Sequence, residues 1–278
     1  MTSVENIMNR RIITASPFDS VRKAAEMMNE FKVGCLPVIE SGQLVGIITS
    51  RDIRCSHPNR LVIDAMSKDL ITVMPSCSIW DAAEIVERYK IERLVVAEDG
   101  KLLGIVTKLE LYHELGKHFD TLTGLNKAEY LYYITGKLIR NNIALSIVFI
   151  DLDGFGEVDK KYGHIIGDEV LYRVANIIKA HVDEKLDYPC RYAGDEFAVV
   201  TVRPASTVEE YALKIVNAIA SYNWDGGMKI TASAGVVNCQ PAIKSDCDIR
   251  EFVNIASLAS TKAKKKGVPV FTVFCNKE

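Results

Sequence analysis

Residues 32–38 (Lys-Val-Gly-Cys-Leu-Pro-Val) return 58 positions later as residues 90–96 (Lys-Ile-Glu-Arg-Leu-Val-Val). The same offset carries Met8 onto Met66, Ala24-Ala25-Glu26 onto Ala82-Ala83-Glu84, Gly42 onto Gly100 and residues 46–49 onto 104–107, without a gap. A duplication this regular commits the first half of the chain to two copies of one supersecondary unit, about residues 1–58 and 59–117. Each copy opens on a helix with apolar residues at helical spacing: Val21, Ala24, Ala25 and Met28, then Ile79, Ala82, Ala83 and Val86. Two short strands joined by a glycine-containing turn follow, and a closing helix begins near Arg51 and Lys108.

The junction between last strand and closing helix carries chemistry. Gly46-Ile-Ile-Thr49-Ser-Arg-Asp52 sets a hydroxyl and a carboxylate at the start of a helix, where free N–H groups and the hydroxyl suit phosphate and the carboxylate suits a ribose diol. The second copy has Thr107 and Glu110 in these places, a longer arm with the same acceptor chemistry. A second reading needs no ligand: Thr-x-x-Asp also caps a helix. The duplication resembles a tandem pair of CBS domains covering residues 1–118. That resemblance implies a regulatory module binding an adenosine-type ligand, an adenine nucleotide for instance, between the copies.

At 278 residues the chain has room for a second domain, expected over residues 119–278 beyond the polar break Asp120-Thr-Leu-Thr-Gly-Leu125. A helix over residues 128–140 is followed by a continuous apolar run, residues 144–150, ending in Asp151-Leu152-Asp153, which reads as a buried strand with acids at its C-terminal edge. Arg191-Tyr-Ala-Gly194-Asp195-Glu196-Phe197 lies between two strand-like runs and reads as a hairpin tip. Adjacent carboxylates repel, and a cation is what offsets them, unless the turn is merely solvated. Asp151 and Asp195 are therefore candidates to share one divalent cation. Oxygen-only ligation favours Mg²⁺ or Mn²⁺. Helices over 208–222 and 249–266 and strands over 229–237 and 268–274 complete an α/β (α+β) expectation, a mixed sheet covered by helices.

A net charge of −2 with 25% charged residues leaves no basic footprint for nucleic acid. No apolar run has the length of a membrane span, and the N-terminus lacks a basic start before an apolar core, so the expectation is a cytoplasmic protein without a membrane segment. The seven cysteines are scattered without disulfide or zinc spacing and read as reduced thiols.

Six motifs in order, Asp120-x-Leu-Thr-Gly-Leu, Asp151-x-Asp-x-Phe155, Tyr162-Gly-His-x-x-Gly-Asp168, residues 191–197, Ser233-Ala-Gly235 and Ala263-Lys264-x-x-Gly267, resemble a GGDEF domain. The resemblance implies a palm-like fold and a diguanylate cyclase condensing two GTP molecules into cyclic di-GMP across a homodimer. It implies a metal held by Asp151, the backbone of Leu152 and Asp195, with Glu196 as a further ligand or as base. Lys264 would pair with phosphates, Gly194 would leave room for them, and Asp168 would read guanine. Phe155 and Gly156 fall in the substrate-binding stretch. The chain departs from the family pattern at Ala193 for glycine, Gly156 for lysine, Val268 for arginine and Asp159 for the guanine-reading asparagine. Glu184-Lys-Leu-Asp187 lacks the arginine of the product-inhibition motif. Two readings stand: a CBS-regulated cyclase, GTP-specific or with altered purine choice, and a degenerate GGDEF domain that binds nucleotide or dimerises without turnover.

Overall fold

The computed structural model describes residues 2–239 and 246–274. The chain divides into two units, Met1–Lys117 and His118–Glu278. The first contains α1 (Val21–Phe31), β1 (Cys35–Glu40), β2 (Gln43–Thr49), α2 (Ser50–Arg54), α3 (Val62–Ala65), β3 (Thr72–Val73), α4 (Ile79–Tyr89), β4 (Arg93–Glu98), β5 (Lys101–Thr107) and α5 (Lys108–Gly116).

The 58-residue offset recurs in its backbone. Ser20 and Ser78 cap α1 and α4 by accepting from the amides of Lys23 and Asp81, and both helices stop at a left-handed lysine, Lys32 (φ 53°) and Lys90 (φ 52°). The hairpins β1–β2 and β4–β5 turn through Ser41-Gly42 and Asp99-Gly100, all four at positive φ, the backbone that two-residue hairpins favour. The copies complete each other reciprocally. A Cβ on Gly46 would collide with the Met66 sulfur, and one on Gly104 with that of Met8. Ile47 bridges to Ser67 just as Ile105 bridges to Asn9. Each hairpin thus lies against the segment that leads into the other copy, which makes the pair pseudo-two-fold.

The second unit runs β6 (Asn126–Lys127), α6 (Ala128–Arg140), β7 (Leu145–Leu152), α7 (Phe155–Tyr162), α8 (His164–Ala180), β8 (Asp187–Ala193), β9 (Glu196–Thr201), α9 (Ala205–Ser221), β10 (Ala232–Cys239), α10 (Asp246–Lys266) and β11 (Val270–Phe274). Its six strands form one mixed sheet in the order β11-β10-β7-β9-β8-β6, with β10–β11 and β6–β8 parallel and the other pairs antiparallel. On one face Val148, Ile150, Phe197, Val199 and Val236 pack with Val170, Leu171 and Val174 of α8 and Val208, Ile215 and Ile219 of α9. α6 and α10 pack against each other and against strands of the same sheet. Strand β7 lies centrally with residues 145–150 all buried, and the one polar member of that run, Ser146, donates its hydroxyl to Asn238 Oδ1 at 2.7 Å.

Several elements differ from expectation, α9 and α10 among them, which begin at Ala205 and Asp246 and not at residues 208 and 249. β10 starts at Ala232 rather than Lys229, because Gly226 and Gly227 at positive φ form a short turn there. Val268 is not yet strand: its N–H bonds the Ala263 carbonyl and closes α10, with Gly267 at φ 64°. Helix α7 was not anticipated, although Phe155, Val158 and Tyr162 keep helical spacing. Among the described residues Cys35, Cys55, Cys77 and Cys190 lie outside any disulfide, and burial pushes the Cys190 pKa up to about 12. The side chains of Cys239, Cys247 and Cys275 lie outside what the structure describes. Among the described residues no helix is long and apolar enough to cross a membrane.

Candidate active site

The β7 strand delivers Asp151, Leu152 and Asp153 to one edge of the sheet, and the β8–β9 hairpin brings its acids to the same edge. Asp151 is the register partner of Glu196, and the Leu152 N–H reaches the Asp195 carbonyl at 3.4 Å. Gly194 opens the turn at φ 45°, and a Cβ built there meets nothing within 4 Å, so that side of the turn is open. Ala193 is exposed and pairs with Glu196 across the turn.

Helix α10 supplies the cation. Gly235 makes this possible: a Cβ there would strike the Ala256 carbonyl and the Ser260 nitrogen, so only glycine admits the helix backbone so close to β10. Lys264 then reaches across, its Nζ donating to Asp151 Oδ1 at 2.9 Å and to the Leu152 carbonyl at 3.0 Å, with Asp153 Oδ1 at 3.8 Å. Lys262 and Lys266 of the same helix instead lie over the Phe271 ring.

Burial and the nearby charge of Asp151 raise the pKa values of Asp195 and Glu196, and Lys264 opposes the rise in both. Asp159 adds to it at Asp195, which places α7 within electrostatic reach of the turn. The expected metal set, Asp151, the Leu152 backbone and Asp195, is therefore brought to one edge. Among the described residues no three Asp, Glu, His or Cys side chains close into a metal-holding group. The donors nevertheless suit a hard cation. Asp151 and the Leu152 carbonyl already share one positive group, the Lys264 ammonium, and both donor atoms are oxygen.

The substrate-side residues are more dispersed. Phe155 is half-buried against the sheet core, whereas Gly156 is exposed and its Cβ position is empty. Asp159 bonds His164 Nδ1 at 3.1 Å and lies against Gly167, where any side chain would collide with it. Asp168 is exposed and is the fifth residue of α8. Asp187 is buried and accepts from Arg203 Nη2 at 2.7 Å and Thr201 Oγ1 at 2.6 Å.

Two residues of the motifs act as supports at the site. Asp153 accepts from Thr231 and Ser233 hydroxyls at 2.8 and 2.9 Å, pinning the end of β7 to the start of β10. Arg191 braces the hairpin turn, donating to the Gly194 carbonyl and pairing with Asp120. The recurrence of Asp at alternate positions before a Ser-Ala-Gly strand was the available signal for the first.

In the first unit Thr49 and Asp52, and Thr107 and Glu110, each form a reciprocal capping box, with hydroxyl-to-carboxylate distances of 2.6 and 2.7 Å. Thr107 and Glu110 also line a cleft with Arg11, Lys32, Cys35 and Arg93. Arg11 and Arg93 sit where the repeat departs from itself, Arg11 corresponding to Asp69 and Arg93 to Cys35, whereas Lys32 is matched by Lys90.

Comparison with known proteins decides the family. The model described as "Diguanylate cyclase, GGDEF domain" matches residues 117–268, and that for the CBS domain matches residues 4–55 and 62–117. The chain belongs to the GGDEF family. A tandem CBS pair precedes its GGDEF domain. It is 32% identical over 183 residues to diguanylate cyclase DosC of Escherichia coli K12, covering 59% of this chain and 37% of that protein. Over 119 residues it is 42% identical to an inosine-5′-monophosphate dehydrogenase of Korarchaeum cryptofilum, covering 42% of this chain and 25% of that protein. The chain thus spans only a quarter to two-fifths of these relatives. Among solved structures, the coiled coil and GGDEF domain of DgcB from Caulobacter crescentus, in complex with c-di-GMP, shares the fold at a TM-score of 0.52 and 20% identity, covering 70% of this chain and 97% of that one.

Proposed function

We propose that this GGDEF protein is a divalent-metal-dependent diguanylate cyclase that joins two GTP molecules into cyclic di-GMP, and that an adenine nucleotide in its CBS pair regulates it. The observation carrying this reading is the meeting of Asp151, the Leu152 carbonyl, Asp195 and Glu196 at one sheet edge with Lys264 among them. Asp151, the Leu152 backbone and Asp195 would hold Mg²⁺ or Mn²⁺. When bound, the ion supplies neutralisation of triphosphate charge and a lowered pKa for the attacking 3′-hydroxyl.

The chain's own groups do the rest. Glu196, whose proton affinity burial and Asp151 raise, takes the hydroxyl proton. Lys264 pairs with the phosphates, and the open side of Gly194 admits them beside the hairpin backbone. Phe155 and Gly156 flank that path, and Asp159 and Asp168 read the base edge with carboxylate acceptors. One chain holds one nucleotide, so the reaction requires two chains facing each other. A ligand clasped by Arg11, Lys32 and Arg93 near Thr107 and Glu110, or at Thr49 and Asp52 in the other copy, would bias that assembly.

A second reading rests on Gly156 and Val268, which leave two phosphate-pairing cations missing: a GGDEF domain that binds nucleotide and signals by assembly. Incubation of the purified chain with Mg²⁺ or Mn²⁺ and GTP, ATP or both, with products identified by mass, separates the two. Cyclic dinucleotide from wild type but not from Asp195→Ala is the expected result. No product from either protein leaves the binding reading standing alone.

A further inference from the structure

The contacts of Lys264 say more than that a phosphate-pairing cation is nearby. Its ammonium donates to Asp151 Oδ1 at 2.9 Å and to the Leu152 carbonyl at 3.0 Å, two of the three groups proposed to hold the metal, and it is the cation that opposes the raised pKa values of both Asp195 and Glu196. The side chain is 36% exposed and Asp151 20%, so the pair is partly shielded from solvent yet free to part. A carbonyl oxygen and a carboxylate oxygen satisfied by an ammonium cannot at the same time be fully offered to a second cation, because the like charges repel.

We infer that Lys264 is an internal counterion that competes with the divalent metal for Asp151 and the Leu152 carbonyl, and that nucleotide phosphates relieve the competition by drawing Lys264 away. The inference rests on the metal-site reading above and adds to it an order of events: without nucleotide the chain holds metal weakly, and metal and triphosphate bind cooperatively. The protein's apparent metal affinity is its intrinsic affinity scaled by the fraction of molecules in which Lys264 has withdrawn.

The test is titration of the full chain with Mn²⁺, following loss of the free-ion electron paramagnetic resonance signal, so that no turnover is needed. Four proteins are compared without nucleotide: wild type, Lys264→Met, Lys262→Met and Asp151→Asn. Lys264→Met is expected to bind Mn²⁺ on the order of fivefold more tightly than wild type, the scale of a partly exposed ion pair. Lys262→Met makes the same change in net charge on the same helix and is expected to match wild type. With a non-hydrolysable GTP analogue present, the advantage of Lys264→Met is expected to vanish. Equal affinity of Lys264→Met and wild type, an equal gain in Lys262→Met, or an advantage that persists with the analogue would each overturn the competition while leaving a metal site abolished by Asp151→Asn intact. If no protein of the four binds Mn²⁺ with or without the analogue, the metal-site reading falls, and the competition with it.

Discussion

Arg191 and Asp120 are joined through both carboxylate oxygens at 3.1 Å, and the same guanidinium donates Nε and Nη2 to the Gly194 carbonyl at 2.9 and 2.7 Å. One planar side chain therefore fastens the turn that carries Asp195 to the first residues of its own unit. Asp120 is itself held by the amide and hydroxyl of Thr123 at 2.8 and 2.6 Å. Burial works to raise its pKa, but these donors and Arg191 prevail and lower it.

Arg191→Met should release the turn without touching the proposed metal donors. The side chains of Arg191 and Asp120 are only 16% and 19% exposed, so the loss leaves a mostly buried carboxylate with one partner group fewer, at a cost of about 1–3 kcal/mol. The expected outcome is a lower melting temperature and a fall in kcat larger than any change in KM, since substrate contacts remain and the acids lose their fixed position. Arg191→Lys is expected to recover little, because an ammonium cannot serve the carboxylate and the carbonyl with a planar fork.

The acids at the sheet edge give a pH signature. Asp195 and Glu196 have raised pKa values, so at these two sites the folded state binds more protons than the unfolded one, and their contribution to stability declines as pH rises through the interval between the unfolded and folded values. Added Mg²⁺ should accordingly raise the melting temperature more at about pH 7 than at about pH 5, because the folded-state carboxylates, their pKa values raised, are the first to take up competing protons as pH falls. Asp195→Asn should melt about 2 °C above wild type in metal-free buffer at the higher pH and lose the Mg²⁺ response. Thermal melts across pH with and without metal check both signs.

The duplication and the six ordered motifs were legible because each depends on spacing along the chain. Offset 58 reappears in left-handed Lys32 and Lys90, and the apolar run before Asp151 becomes the buried strand β7. Partnership across the fold was legible only where acids at strand ends or a motif pointed to it, as for Asp151 with Asp195 and for the choice of Lys264. That Lys264 bonds Asp151 itself was not; it arises because Gly235 lets α10 approach β10 closely enough to aim one lysine at Asp151 while Lys262 and Lys266 face Phe271. Likewise Arg11 and Arg93 meet only once the two copies close around their pseudo-two-fold.

That closure predicts unequal clefts in the CBS pair. The cleft beside Thr107 gathers Arg11, Lys32 and Arg93, whereas the residue 58 positions after Arg11 is Asp69, an acid. AMP should bind with one equivalent per chain by titration calorimetry. Arg93→Ala should weaken it about tenfold or more, the worth of a hydrogen bond to a charged group. Two equivalents of equal affinity would show that the charge difference does not select between the clefts.

Gly235→Ala tests whether the position of α10 sets activity. The added methyl meets backbone atoms, the Ala256 carbonyl, the Ser260 nitrogen and the Ala259 carbonyl carbon, which cannot rotate aside as a flexible side chain would. The helix must shift outward along the stretch where Ala256, Ala259 and Ala263 are buried, at a cost of about 1–3 kcal/mol of the kind overpacking exacts. Because Lys264 lies one residue beyond Ala263, the same displacement withdraws its ammonium from Asp151 and from incoming phosphates. A melting temperature several degrees lower, accompanied by a marked loss of cyclic dinucleotide formation, is the expected pair of results. Lys264→Met separates the two effects: it should lose turnover with little change in melting temperature, so a Gly235→Ala protein that is destabilised yet fully active would show that the close approach of α10 serves packing alone.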